Sequence, residues 1–222
     1  MALKIAVLLF EGFTMLDAVG PIEVLSLLPD AEIMVTASSA GVVWPDNQAV
    51  PFIAPYSLAD ITAADILIVP GGPGTDAVEK NTEVLDWIKR VHETTLWTCS
   101  VCTGALVLGA AGLLNGNEAT THWGALARLG EFGARPVSKR WVEQGKILTA
   151  AGVSAGIDMA LYLASQLAGE LAARAIQLGI EYDPAPPFDS GSAQQASPEV
   201  IGAVLDGTIA MDRAARVRPQ LR

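Results

Sequence analysis

Short runs with almost no charge alternate with helical patterns along this chain, and that alternation limits its possible folds more than any other feature. Residues 3–10, 65–69 and 96–101 are mostly apolar, with charge only at Lys4 and Asp65, so they read as strands buried on both faces. Residues 32–37 read as a further strand. Residues 42–44 and 50–53 read as a small hairpin around Pro45-Asp46-Asn47. Helical patterns follow the strands. One covers residues 22–28 with Pro21 in its first turn, and another covers 82–93 with Leu85, Ile88 and Val91 inward. Strands separated by helices call for crossover connections. The expected fold is α/β, an open and mainly parallel sheet with helices on both faces.

The later part of the chain continues the pattern. Residues 136–142 and 146–150 read as a hairpin around Glu143-Gln144-Gly145. A long buried helix follows, with Ser154 as its cap and Asp158 in its first turn. Another helix covers about 171–181, and Asp183-Pro184-Ala185-Pro186-Pro187-Phe188 ends it. Residues 190–198 read as a loop and 199–216 as a closing helix before a loose basic end. At 222 residues the chain is expected to form one domain, 1–222, with a C-terminal loop and helix over about 184–222.

Charge and composition remove some functions. A net charge of −10 argues against a nucleic-acid surface. The least charged stretches, 94–117 and 147–169, are broken by Gly, Thr, Ser and Asp158, so they suit buried strand plus helix better than a membrane span. The start of the chain passes directly into a strand with no cleavage pattern, and a cytoplasmic protein is expected.

The stretch Leu96-Trp97-Thr98-Cys99-Ser100-Val101-Cys102-Thr103-Gly104 carries the chemistry. It reads as a buried strand, a tight turn and the start of a helix, with Cys102 at the turn. Backbone N–H groups at that point favour negative charge, so the thiol is expected to ionise more easily than a free one. The G-x-S-x-G hydrolases present a serine in the same way. A buried structural cysteine fits the stretch equally well. Cys99 stands in a C-x-x-C spacing with Cys102, but it belongs to the strand and not to the helix start, so a redox pair is disfavoured. No set of Cys and His suggests a metal.

Asp17 lies past the end of the first strand, at the sheet edge where open α/β folds bind ligands, and is the first candidate partner for Cys102. Turn formation is its alternative role. Glu23 is expected on a solvated helix face. Pro70-Gly71-Gly72-Pro73-Gly74 follows a buried strand and lacks the Lys and Ser/Thr of a phosphate loop. It reads as an oxyanion hole with the Gly72 N–H as donor, or as a plain turn. Of the two histidines, His92 is expected at the surface and His122 in a structural or pocket-lining role.

Several of these segments together resemble the ThiJ/PfpI superfamily. They are Leu16-Asp17-Ala18-Val19-Gly20-Pro21, Pro70-Gly71-Gly72-Pro73-Gly74 and Ser100-Val101-Cys102-Thr103-Gly104. Thr120-Thr121-His122-Trp123, Ser154-Ala155-Gly156-Ile157-Asp158, and Glu181-Tyr182 with Pro186-Pro187-Phe188 join them in the same order. The resemblance implies a flavodoxin-like three-layer sandwich, a nucleophile at Cys102 and an acid at Asp17. The motifs are most similar to the isocyanide-hydrating branch, homodimeric bacterial enzymes that turn an isocyanide into an N-substituted formamide. That likeness implies a small-molecule substrate, no cofactor and a covalent cysteine thioimidate, with the Thr103 hydroxyl orienting a Cys–Asp pair that shares one proton. The peptidase branch has His directly after the nucleophile, where this chain has Thr103. The amidotransferases take a His from late in the chain, and none follows His122. Related regulators carry helix-turn-helix units, for which this chain ends too soon. Two alternatives stay open: a ligand-sensing or stress-responsive module with an exposed, oxidisable Cys102, and a glyoxalase-type activity on small dicarbonyls.

Overall fold

The structure, a computed structural model, describes residues 2–206. Its centre is a seven-stranded sheet. In chain order the strands are β1 (Leu3–Leu8), β2 (Ala31–Ala37), β5 (Tyr56–Ser57), β6 (Ile66–Val69), β7 (Trp97–Val101), β10 (Trp141–Gln144) and β11 (Ile147–Ala150). Outside it lie the hairpin β3 (Gly41–Val43) and β4 (Phe52–Ala54), and the short pair β8 (Glu118–Ala119) and β9 (Arg135–Pro136). The spatial order is β10-β11-β7-β6-β1-β2-β5, and all pairings are parallel except β10 with β11. The fold is thus the open, mainly parallel α/β sheet expected from the alternation of strands and helices, of the flavodoxin-like kind that the resemblance implies.

The helices are α1 (Met15–Leu25), α2 (Thr75–Val78), α3 (Thr82–Thr94), α4 (Gly104–Ala110), α5 (Ala155–Ala168), α6 (Glu170–Gly179) and α7 (Pro198–Leu205), with a 3-10 helix over Trp123–Phe132. Successive side chains of a strand face opposite ways, so each central strand feeds two cores. Ile5, Val7, Ile66 and Ile68 pack with Val24, Met159 and Leu163 from α1 and α5. Ala6, Leu8, Leu67 and Val69 pack with Val84, Trp87, Ile88 and Leu106 from α3 and α4. Each large side chain so buried contributes about 2 kcal/mol by leaving water.

Three local expectations are corrected. The first helix begins at Met15 and not at Ile22, so Pro21 lies inside it. Proline has no N–H for the Asp17 carbonyl, yet it is tolerated because the buried ring packs against α5, 3.2 Å from where a Gly156 Cβ would stand. The late hairpin begins at Trp141, because Arg135–Pro136 pairs with Glu118–Ala119 instead. Glu143 and Gln144 therefore belong to the strand, and the turn is Gly145-Lys146 with Gly145 at φ 60°. Ser154 stands at the start of α5 but does not cap it, since its hydroxyl accepts from Arg140 Nη2 at 3.0 Å. The closing helix covers Pro198–Leu205, capped by Ser197. The continuation expected to residue 216 and the basic end lie outside the described residues.

The chain runs from β1 outward to β2 and then returns to the other side of β1 at β6. The carboxyl ends of β1 and β6 therefore bound the switch-point crevice of the sheet. The loops after β1, β6 and β7 meet there.

Candidate active site

Asp17 is the third residue of α1 and is fully buried. Its Oδ2 accepts the Gly71 N–H at 2.9 Å, which ties the first loop to the second. Its Oδ1 has no partner in good geometry among the described residues. The second loop, residues 70–74, meets the third through Gly72, whose N–H donates to Thr103 Oγ1 at 2.8 Å. Packing here leaves no room for a methyl group. A Cβ on Gly71 would stand 2.4 Å from the Thr103 nitrogen and 2.9 Å from Asp17 Oδ2.

Cys102 is held in a conformation that L-residues seldom adopt, with φ 56°. Its N–H donates to the Ala150 and Ala151 carbonyls, both at 3.1 Å, and its carbonyl accepts the Thr121 hydroxyl at 2.7 Å. These bonds hold the elbow against its strain. Gly104 completes it, because a Cβ there would stand 2.2 Å from the Val69 carbonyl oxygen. The thiol lies within hydrogen-bonding reach of the Asp17 carboxyl and of the Thr103 hydroxyl and N–H. Asp17, Gly72, Cys102 and Thr103, four residues from three loops, are thus brought together.

The electrostatics depart from the expectation of an acidic thiol. Burial pushes the Cys102 thiol well above its usual range, and the neighbouring Asp17 charge pushes it further. The Thr103 N–H and hydroxyl pull the other way without offsetting this. Burial likewise raises Asp17 to about 8, opposed by the Gly71 N–H and Cys102 and assisted by the Asp46 charge. The turn supplies donors, but it also withdraws the sulfur from water and sets it against a carboxyl. Both shifts run toward the protonated forms, opposite to the easily ionised thiol expected at the turn. The sensing alternative needed an exposed thiol, whereas Cys102 is 5% exposed. Cys99 is a second free thiol, fully buried in the core.

Cys102, Thr103 and Gly72 line a cavity of about 670 Å³, with Leu16, His122 and Val153 among its walls. The same three wall residues also border a neighbouring cavity of about 600 Å³ reached by Arg140 and Gln194. The Gly72 N–H, expected to point at an oxyanion, is engaged by Thr103 instead. His122 accepts the Gly124 N–H at Nδ1, 3.2 Å away, and its ring packs where a Gly152 Cβ would be. It lines the cavity, and burial holds its pKa down. Glu23 is exposed, as read. His92 is not the surface residue expected. It is half-buried, with Nδ1 2.8 Å from Thr98 Oγ1 and its carbonyl accepting from Lys146 Nζ.

Sequence reasoning passed over Asp46 and Arg128, both in the cavity wall. Asp46 was visible only as the middle of a Pro-Asp-Asn turn, where Asp is routine. Arg128 lies in a 3-10 helix with no motif around it. Among the described residues no group of three His, Cys, Asp or Glu side chains could hold a metal, and no helix is long and apolar enough to cross a membrane.

Comparison with known proteins agrees with this architecture. Residues 3–166 match the model of the DJ-1/PfpI family. The isonitrile hydratase of Pseudomonas putida is 42% identical over 207 residues, which cover 90% of this chain and 88% of that protein. A crystal structure of a ThiJ/PfpI family protein from Pseudomonas syringae superposes with a TM-score of 0.89 at 34% identity, covering 96% of this chain and 88% of that one. Drosophila melanogaster DJ-1beta shares the fold at a TM-score of 0.73 and 21% identity, covering 82% of this chain and 98% of that one. With its elbow cysteine, buried acid and sheet order accounted for, this chain belongs to the DJ-1/PfpI family.

Proposed function

We propose that the protein hydrates isocyanides to N-substituted formamides without a cofactor, through a covalent thioimidate on Cys102. One observation carries the reading: a fully buried Asp17, its carboxyl raised toward the protonated form by that burial, set against an elbow thiol that lines a cavity. The likeness to the Pseudomonas putida isonitrile hydratase over nearly the whole chain supports the substrate class.

A neutral pair suits this reaction. The terminal carbon of R–N≡C bears a lone pair and also accepts a nucleophile. Asp17 gives its proton to that carbon while the Cys102 sulfur bonds to it, and the thiol proton passes to the Asp17 carboxylate. The net result is addition of S–H across the carbon, giving R–N=CH–S–Cys102, with Asp17 protonated again. Water then adds to the thioimidate carbon. Its hydroxyl stays on carbon, and a proton reaches the nitrogen through Asp17. Collapse breaks the C–S bond, releases R–NH–CHO and returns the hydroxyl proton to sulfur. One water is consumed, and no net charge is left beside the buried Asp17 carboxyl. Thr103 holds its hydroxyl beside the sulfur and fixes the Gly72 loop. The reading includes a homodimer. Leu171 and Leu178, one face of α6 and 83% and 80% exposed, support a self-associating surface.

The test is turnover of cyclohexyl isocyanide, followed by NMR of the formamide. Wild-type protein is expected to form it, and Cys102→Ala is expected to form none. Consumption of methylglyoxal with no formamide from the isocyanide would sink the reading.

A further inference from the structure

The cavity above Cys102 holds a second buried carboxyl that this chemistry leaves unused. Asp46 sits in the turn of the β3–β4 hairpin and is 6% exposed. The turn is pinned to the loop after β1. Gly12 N–H donates to the Trp44 carbonyl at 2.9 Å, and Asp46 N–H donates to the Phe13 carbonyl at 2.8 Å. The Asp46 Oδ2 accepts from Thr14 Oγ1 at 3.1 Å. Asp46 and Cys102 line the same space. Arg128, the one Lys or Arg in that wall, is turned aside to Asp76 at 3.1 Å and Glu79 at 2.8 Å. Asp46 therefore has no ion-pair partner among the described residues. A carboxyl withdrawn from water without a counter-charge is costly unless a donor reaches it.

Resting on the hydratase reading, we propose that Asp46 selects the substrate: the cavity takes isocyanides whose N-substituent ends in a protonated amine, which donates to Asp46 while the isocyano carbon meets Cys102. A cavity of about 670 Å³ is wide enough for a substituent of that kind. The preference arises from one charge-assisted hydrogen bond to a largely buried carboxyl.

The experiment compares 2-(piperidin-1-yl)ethyl isocyanide, protonated at the assay pH, with its carbocyclic isostere 2-cyclohexylethyl isocyanide. The readout is the ratio of their kcat/KM values. Wild-type protein is expected to favour the amine, and Asp46→Asn, which keeps an acceptor for Thr14, is expected to lower the ratio about tenfold or more. Because each variant is scored by a ratio, partial loss of folded protein cancels. If both isocyanides are hydrated with no preference, or if Asp46→Asn leaves the ratio unchanged, this inference fails and the hydratase reading stands. If neither is hydrated, the hydratase reading fails and takes the inference with it.

Discussion

Replacing Asp17 with Asn tests the buried acid through stability, independently of any substrate. The side chains have the same shape, and Asn keeps an acceptor for the Gly71 N–H. In the folded protein Asp17 holds its proton up to about pH 8, against 3.8 for a free carboxyl. Between those values the folded state carries a proton that the unfolded state has released, so wild-type stability falls as pH rises through this window. The slope for one such group is about 1.4 kcal/mol per pH unit. Between pH 5 and pH 7 wild-type protein thus loses about 3 kcal/mol that Asp17→Asn keeps. Groups that titrate alike in both proteins cancel in the difference. Cys102, whose thiol is pushed up, stays protonated throughout that range. The assay is urea unfolding at half-unit pH steps under reducing conditions, repeated in a Cys102→Ala background. The expected result is a gap between Asp17→Asn and wild type that widens steadily in favour of the variant. Two parallel curves would mean that Asp17 is ionised in the folded protein, and the account of a neutral proton-carrying acid would be refuted.

The remaining predictions concern the same three loops. Turnover by wild-type protein is expected to decline above about pH 8 as Asp17 loses its proton, seen as the alkaline limb of the kcat/KM profile. Asp17→Asn is expected to fold and to lose most turnover at every pH, in the same formamide assay. Thr103→Val leaves the Gly72 N–H without its acceptor and is expected to cost about 1–3 kcal/mol in urea unfolding, whereas Thr103→Ser costs much less. Gly104→Ala places a Cβ 2.2 Å from the Val69 oxygen, so its Tm is expected to drop by an amount equivalent to about 2–3 kcal/mol.

The sheet was legible because its strands are short, nearly uncharged and separated by helical patterns, which leaves few ways to pair them. Elements that broke a local rule were read less well. Pro21 marked a helix start by propensity, but its burial against α5 outweighs the lost hydrogen bond and the helix extends to Met15. Ser154 looked like a cap until Arg140, distant in sequence, claimed its hydroxyl. The meeting of Asp17, Gly72 and Cys102 followed from all three lying just past carboxyl ends of parallel strands. The charge state of that meeting did not follow. Helix starts and backbone donors are visible in a sequence, whereas desolvation depends on everything packed around the thiol. His92 escaped for the same reason. Its partners, Thr98 and Lys146, come from β7 and from the late hairpin turn, and only the sheet brings them near.

The β3–β4 hairpin lies outside the seven-stranded sheet and reaches the cavity only through its turn. Reaction chemistry and substrate choice therefore rest on parts of the chain with very different tolerance for change. At the elbow even an added methyl at Gly71 or Gly104 collides with backbone, so sequence drift there is closed off. Residues 47–49, beyond the backbone bonds that pin Trp44 and Asp46 to the loop after β1, lie in no strand of the main sheet, and alterations there leave the sheet order the same. A descendant or an engineered variant of this chain can thus acquire a new clientele by redrawing one turn, with the reacting groups inherited intact.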